Sequence, residues 1–165
     1  MFSAKTYAAR RNMLRTKIGS GIVLFPGNPL SPNNYPNNAY YFRQDSSFLY
    51  YFGLNIPSLA GLIDADTGEE ALYGDDFTVE DIIWTGPQPT LRELGAKVGI
   101  AATHPLSELE KRLRKAISLG RKIHFLPPYR GETKLWLSSL LGIKPTLLHD
   151  YKSVDLMFAC LLYTS

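Results

Sequence analysis

The spacing of apolar residues changes period several times along the chain, and each change predicts an element. Over residues 4–16, Tyr7, Arg10, Leu14 and Lys17 fall at helical spacing, with Ala8 and Met13 adding to a moderately apolar face. Ser3 stands where a helix N-cap is expected. The short continuous run over 22–25 lies between Gly21 and the Pro26-Gly27 turn signal, which suits a strand buried on both faces. Residues 26–39 hold four prolines and five asparagines and predict a long irregular loop, with Tyr35 and Tyr40 as anchors. The run Phe48-Leu49-Tyr50-Tyr51-Phe52 has strand composition. Residues 58–63 predict another strand. The Asp64-Ala65-Asp66-Thr67-Gly68 segment is a hairpin-type turn, with 70–73 returning antiparallel.

Beyond the hairpin, 74–89 reads as a loop with one helical turn near 79–82, stopped by Gly86-Pro87 and Pro89. Thr90 caps a short helix over 91–94, with Glu93 in the reciprocal place of a capping box. Residues 98–101 predict a brief strand. A longer helix follows over 105–119, with Leu106, Leu109, Leu113 and Ile117 as its stripe and Gly120 as its C-cap. Glu108 with Arg112 and Glu110 with Arg114 stand in the favourable i,i+4 order. A strand over 122–126, a helix over 133–141 ended by Gly142, and a final helix over 151–162 complete the pattern. Alternating strands and helices around a central hairpin predict an α/β fold, a three-layer α/β/α sandwich with a mixed central sheet. No internal repeat is visible. The expected division is one domain over 1–150, with 142–150 connecting it to a last helix in 151–165.

Composition narrows the function classes. The 165 residues suffice for one domain with a full core. With 45% hydrophobic and 20% charged residues, a largely disordered chain is excluded. Lys+Arg is 18 against Asp+Glu 15, too balanced to argue for nucleic acid. The single cysteine, Cys160, allows no internal disulfide and fits a reducing compartment. It lies on an apolar stretch and reads as buried and inert. Five basic residues in 1–17 without a following apolar core do not make a secretion signal, and no apolar run approaches the ~20 residues of a membrane span. A cytoplasmic protein without nucleic-acid or membrane partners is the expectation.

Charge is segregated along the chain. Residues 45–90 hold nine acids and no lysine or arginine, while 92–134 hold ten basic residues. The two blocks form either opposed docking patches or ordinary solvated surface. His104, His124 and His149 stand in no metal-binding spacing, and His124 within a strand reads as partly buried and hydrogen-bonded. No nucleophile elbow or phosphate-binding glycine loop appears. No catalytic, cofactor-binding or metal-ligating residue is therefore expected in this chain. An autonomous small-molecule enzyme would have to use Asp45, Arg43 or His104.

The most informative segment runs from Tyr40 to Tyr51, dense in aromatics around the charged centre Arg43-Gln44-Asp45. Arg43 and Asp45, two residues apart, would point the same way in an extended chain. Polar groups held among rings must be paired or wet. The segment either locks the long loop onto the sheet or serves at a subunit or domain interface.

The pattern Tyr-x-Phe-Arg-Gln-Asp-Ser-x-Phe-x-Tyr-x-x-Gly stands at Tyr40, Phe42, Arg43, Gln44, Asp45, Ser46, Phe48, Tyr50 and Gly53. It resembles the N-terminal domain of the creatinase/prolidase/aminopeptidase P family, in its Xaa-Pro aminopeptidase branch. The helix with Arg10-Arg11-x-x-Leu14, the strand over 22–27, the strand over 61–63 and Trp84-Thr85-Gly86-Pro87 extend the likeness over nearly the whole chain. Tyr41 stands where the family often has proline, leaving the turn less rigid. The stretch from Leu156 begins like the helix leading into the family's second domain, but lacks the usual Arg-x-x-Lys run.

The resemblance implies a ribonuclease H-like α/β domain preceding a "pita-bread" metallopeptidase domain. That second domain holds two divalent ions, usually manganese, on two aspartates, one histidine and two glutamates, and releases the N-terminal residue before a proline. No residue here matches those ligands, so the implied role of this chain is non-catalytic. Its implied partners are its own catalytic domain, other copies in a homodimer or homotetramer and, indirectly, a proline-containing peptide. The residues implied at an interface or substrate entrance are Tyr40, Arg43, Asp45, Phe48, Tyr50 and Trp84. A free-standing peptide- or protein-binding module of the same fold, or the N-terminal domain of a prolidase, are the alternatives.

Overall fold

The computed structural model describes residues 2–35, 38–151, 153, 156 and 157. Among them lie six helices and five strands: α1 (Ala4–Ile18), β1 (Ile22–Pro26), α2 (Ser46–Phe52), β2 (Ala60–Asp64), β3 (Glu70–Tyr73), α3 (Val79–Thr85), α4 (Leu91–Lys97), β4 (Ala102–His104), α5 (Leu106–Ser118), β5 (Ile123–His124) and α6 (Gly131–Leu141). The strands form one mixed sheet in the order β4-β3-β2-β1-β5. β2 is antiparallel to both neighbours, pairing Leu24 with Leu62 and Leu62 with Ala71. β5 runs parallel to β1 and β4 parallel to β3. The carboxyl ends of β1, β3, β4 and β5 therefore share one edge of the sheet.

The pleat divides the core. Val23, Phe25, Ile63 and Leu72 pack with Tyr7 and Leu14 of α1, Phe48 and Phe52 of α2, and Leu91 and Leu94 of α4. Ile22, Leu24, Leu62 and Tyr73 face the other way, onto Leu109 and Leu113 of α5 and Leu137 and Leu140 of α6. Alternation along each strand thus feeds two helical layers, the expected α/β/α sandwich. Gly61 permits the close approach of α2 to β2, since a Cβ there would sit 2.2 Å from the Phe52 ring.

Several expected elements stand where the apolar pattern put them. Ser3 accepts from the Thr6 amide at the start of α1, and Thr90 and Glu93 form the reciprocal capping box of α4. Gly142 ends α6 in the left-handed region. No helix among the described residues is long and apolar enough to cross a membrane.

Other expectations are corrected. The aromatic run over 48–52 is helical, not a strand. Asp45 accepts from the Phe48 amide (2.9 Å) as N-cap, and Gly53 closes the helix with φ 66°. Helical spacing puts Phe48, Tyr51 and Phe52 on one buried face, so burial outweighs strand propensity. Asp45 and Arg43 therefore do not share an extended strand. The strand expected over 58–63 begins only at Ala60, because Ser58 has φ 59°, outside strand geometry. The strand expected over 98–101 lies at 102–104, since Val98 and Gly99 (φ 76°) terminate α4. The strand over 122–126 contracts to Ile123–His124. In α5, Ala116 faces inward and Ile117 is exposed, while Leu119 takes the C-cap and Gly120 follows it. In α1, Arg11 joins Tyr7 and Leu14 in the core face. Most of the helix expected over 151–162, and Cys160 with it, lies outside the described residues.

Candidate functional site

The Tyr40-to-Tyr51 motif has an inward and an outward half. Gln44 organises the inward half. It is only 2% exposed, its Oε1 accepts from the amides of Asn28 (2.6 Å) and Asp45 (2.9 Å), and its Nε2 donates to the Ile56 carbonyl (2.7 Å). One amide group thus ties the loop after β1, the start of α2 and the segment before β2. Phe48 stacks on Phe52 with centroids 5.1 Å apart. Tyr50 is half-buried, with the Arg10 guanidinium 4.1 Å above its ring. Asn28 extends the seam, donating to the Arg43 carbonyl (2.9 Å) and the Tyr129 hydroxyl (3.3 Å).

The outward half is Tyr40, Tyr41 and Arg43. Tyr41 is 97% exposed, Tyr40 is exposed, and the Arg43 side chain has no partner among the described residues. Tyr40 is held in place by the hydrogen bond that its backbone amide donates to the Ser31 carbonyl (2.9 Å). Tyr129 and Arg130, following β5, stand beside this loop, with Arg130 donating to the Pro29 carbonyl (3.3 Å). The result is an exposed platform of tyrosine and arginine at the carboxyl edge of β1 and β5.

Trp84 lies elsewhere on the same edge. After β3, Asp75 accepts from the Leu106 amide at the start of α5, and Asp76 from the Leu91 amide at the start of α4. Each carboxylate accepts from the first amide of its helix, a donor with no intrahelical partner. From this double anchor α3 projects Val79, Ile83 and Trp84 outward, Trp84 being 82% exposed. Between platform and arm lie two cavities of about 150 and 320 Å³ that share Ser58 and Leu59 in their walls. The structure therefore leaves Tyr40 and Arg43 exposed on one loop, uses Asp45, Phe48 and Tyr50 for anchoring, and sets Trp84 apart on the arm.

Much of the charge segregation is consumed within the chain. Asp64 is 3% exposed and accepts from Arg121 Nη2 (2.6 Å) and Nη1 (3.0 Å). Arg121 also holds Asp66 (2.6 Å). Burial alone would raise the Asp64 pKa, but the Arg121 bonds and the Thr67 amide hold it below its ordinary value of 3.8. Arg112 bonds Glu69 (2.6 Å) and keeps that carboxyl below 4.5. The expected Glu108–Arg112 pair gives way to this cross-layer bond, and Glu108 instead faces His104 (3.4 Å). Glu110 and Arg114 pair as expected (2.7 Å).

Two residues of consequence escaped the sequence reading. Arg11 is fully buried, bonded to Glu70 (2.7 Å) and to the carbonyls of Tyr51 and Val98 (3.0 Å each). Its place four residues after Tyr7 and three before Leu14 was the available signal. Gln44 had no periodic signal, only its place in the motif. His124 is buried as expected. Its Nε2 donates to the Ser20 carbonyl (2.9 Å), and Nδ1 pairs with the Ser153 hydroxyl (2.7 Å). Among the described residues no group of three or more His, Cys, Asp or Glu is placed to hold a metal. The donor set of the implied metal pair does not fit these residues.

A family model described as aminopeptidase P, N-terminal domain, matches residues 7–126. The chain belongs to this family. That match runs from α1 through β5 and includes the motif, the hairpin and the α3 arm. A probable Xaa-Pro aminopeptidase of Aspergillus flavus is 23% identical over 149 residues, covering 90% of this chain and 26% of the relative. An uncharacterized peptidase of Saccharomyces cerevisiae is 28% identical over 111 residues, covering 67% of this chain and 21% of the relative. The low-pH form of Escherichia coli aminopeptidase P superposes with a TM-score of 0.71 at 20% identity, over 86% of this chain and 33% of that one. The chain thus spans about a fifth to a third of these relatives' length, and its fold matches that of the aminopeptidase P N-terminal domain.

Proposed function

We propose that this chain is the non-catalytic N-terminal domain of an Xaa-Pro aminopeptidase, a metal-dependent hydrolase that releases the N-terminal residue before proline. The family match over 7–126 carries this reading. Two divalent ions, manganese or similar, would polarise the scissile carbonyl and supply hydroxide in a catalytic domain outside these 165 residues. The residues here would shape access and support a homodimer or homotetramer in a cytoplasmic enzyme. The Tyr40–Arg43 platform and the Trp84 arm suit this role because they are exposed features set on a rigid sheet edge. A wall of this kind would favour short, flexible peptides over folded chains.

The test compares the chain alone with the chain fused to the unmatched remainder of the Aspergillus flavus relative, both with manganese and an Xaa-Pro peptide. Release of the first residue by the fusion alone is the expected result. Hydrolysis by the unfused chain would overturn the assignment. In the fusion, Trp84→Ala is expected to alter KM for long peptides more than for tripeptides.

A further inference from the structure

We propose that the cavity of about 150 Å³ beside the start of α6 binds a prolyl N-terminus, the first residue of a peptide that begins with proline. The cavity stands on the structure alone; the choice of occupant rests on the reaction proposed above, whose peptide product begins with proline. Four segments enclose it: the loop after β1, the segment before β2, and the first turns of α5 and α6. Trp136, Leu106, Pro29 and Leu59 supply apolar wall, and Glu132 and Thr133 supply polar groups. An apolar cavity of about 150 Å³ takes a benzene-sized ring. The five-membered ring of proline is smaller, and proline rings dock readily against aromatic walls.

The polar groups select the N-terminus. The Thr133 hydroxyl oxygen is sealed from solvent and has no hydrogen-bond partner among the described residues. A buried hydroxyl left unpaired is unfavourable. Threonine in a helix divides between two χ1 rotamers. Thr133 already lines the cavity, so turning it exchanges methyl for hydroxyl in the wall, breaks no hydrogen bond and offers a donor to a ligand carbonyl. Glu132 is exposed at the rim. Its own amide and the Ser31 hydroxyl (3.2 Å) hold its carboxyl below the ordinary 4.5, so it is ionised at neutral pH. Arg130, the cation beside it, is bonded to the Pro29 carbonyl (3.3 Å). A prolyl N-terminus presents the complement of this set: a compact ring for Trp136, a secondary ammonium for Glu132 and a carbonyl for Thr133. A proline within a chain keeps the ring and the carbonyl but has no ammonium.

The isotopically labelled chain is titrated with L-prolinamide and followed by two-dimensional amide NMR at about pH 6, where an α-amine is protonated. The Trp136 indole and the amides of Glu132 and Thr133 should shift saturably, with a dissociation constant of about 1 mM. N-acetyl-L-prolinamide, which lacks the ammonium, and glycinamide, which lacks the ring, should each bind at least fivefold more weakly. Glu132→Gln and Thr133→Val preserve shape, and each should weaken prolinamide at least threefold while the rest of the spectrum stays in place. Absence of saturable shifts up to about 50 mM, equal binding of either control compound, or undiminished binding by both variants would overturn the proposal. The titration needs no peptidase activity. An active fusion whose N-terminal chain ignores prolinamide defeats this site alone, and an inactive fusion leaves a positive titration standing.

Discussion

Replacing Arg11 by methionine tests whether a buried ion holds the α1 layer to the sheet. The guanidinium is sealed from solvent and bonds Glu70 of β3, the Tyr51 carbonyl of α2 and the Val98 carbonyl after α4. Methionine fills much of the same volume but donates nothing, so the cost comes from unpaired partners more than from a void. Two buried carbonyls lose a charged donor at about 1–2 kcal/mol each, and Glu70, one-fifth exposed, loses its counterion but keeps some water. The whole loss is roughly 3–5 kcal/mol, the usual cost of breaking a buried pair by removing one partner. For a domain of this size that lowers Tm by about 6–20 °C. Urea unfolding followed by circular dichroism should show the midpoint fall with an unchanged slope. Adding Glu70→Leu to Arg11→Met should recover part of the loss, because the stranded carboxylate is removed. A change below about 1 kcal/mol in the single variant would refute the account.

Asp45→Ala should cost about 1 kcal/mol by removing the α2 cap, and Asp45→Ser should recover most of it; equal stability of all three proteins would contradict the capping role. Acid stability should follow the Arg–carboxylate network. The folded pKa values of Asp64 and Glu69 lie below their ordinary 3.8 and 4.5, so their stabilisation is complete above those values and is lost as pH falls through the lowered folded ones. Arg121→Ala should lower stability at pH 7 by about 2 kcal/mol and flatten the decline between about pH 5 and 2. An unaltered acid limb in urea titrations across that range would count against the pairing.

What was legible in the chain is what local rules decide. Ser3, Thr90 with Glu93, and the Asp64–Gly68 turn are short-range hydrogen-bonding devices, and each stands where its residues put it. The apolar run over 22–25 marked a strand buried on both faces, and the Tyr40–Gly53 motif carried the family. Tertiary structure decided the rest. Residues 46–52 could satisfy either period, and burial of Phe48, Tyr51 and Phe52 against β1 and α1 selected the helix. Arg112 left its helical neighbour Glu108 for Glu69 because the folded layers bring a better bidentate acceptor within 2.6 Å. The platform and the arm are about 40 residues apart in the chain and share an edge only because β2 reverses direction between β1 and β3. No periodicity within either segment encodes that reversal's partner strands: local sequence sets each element, and the order in which strands pair sets which surfaces lie side by side.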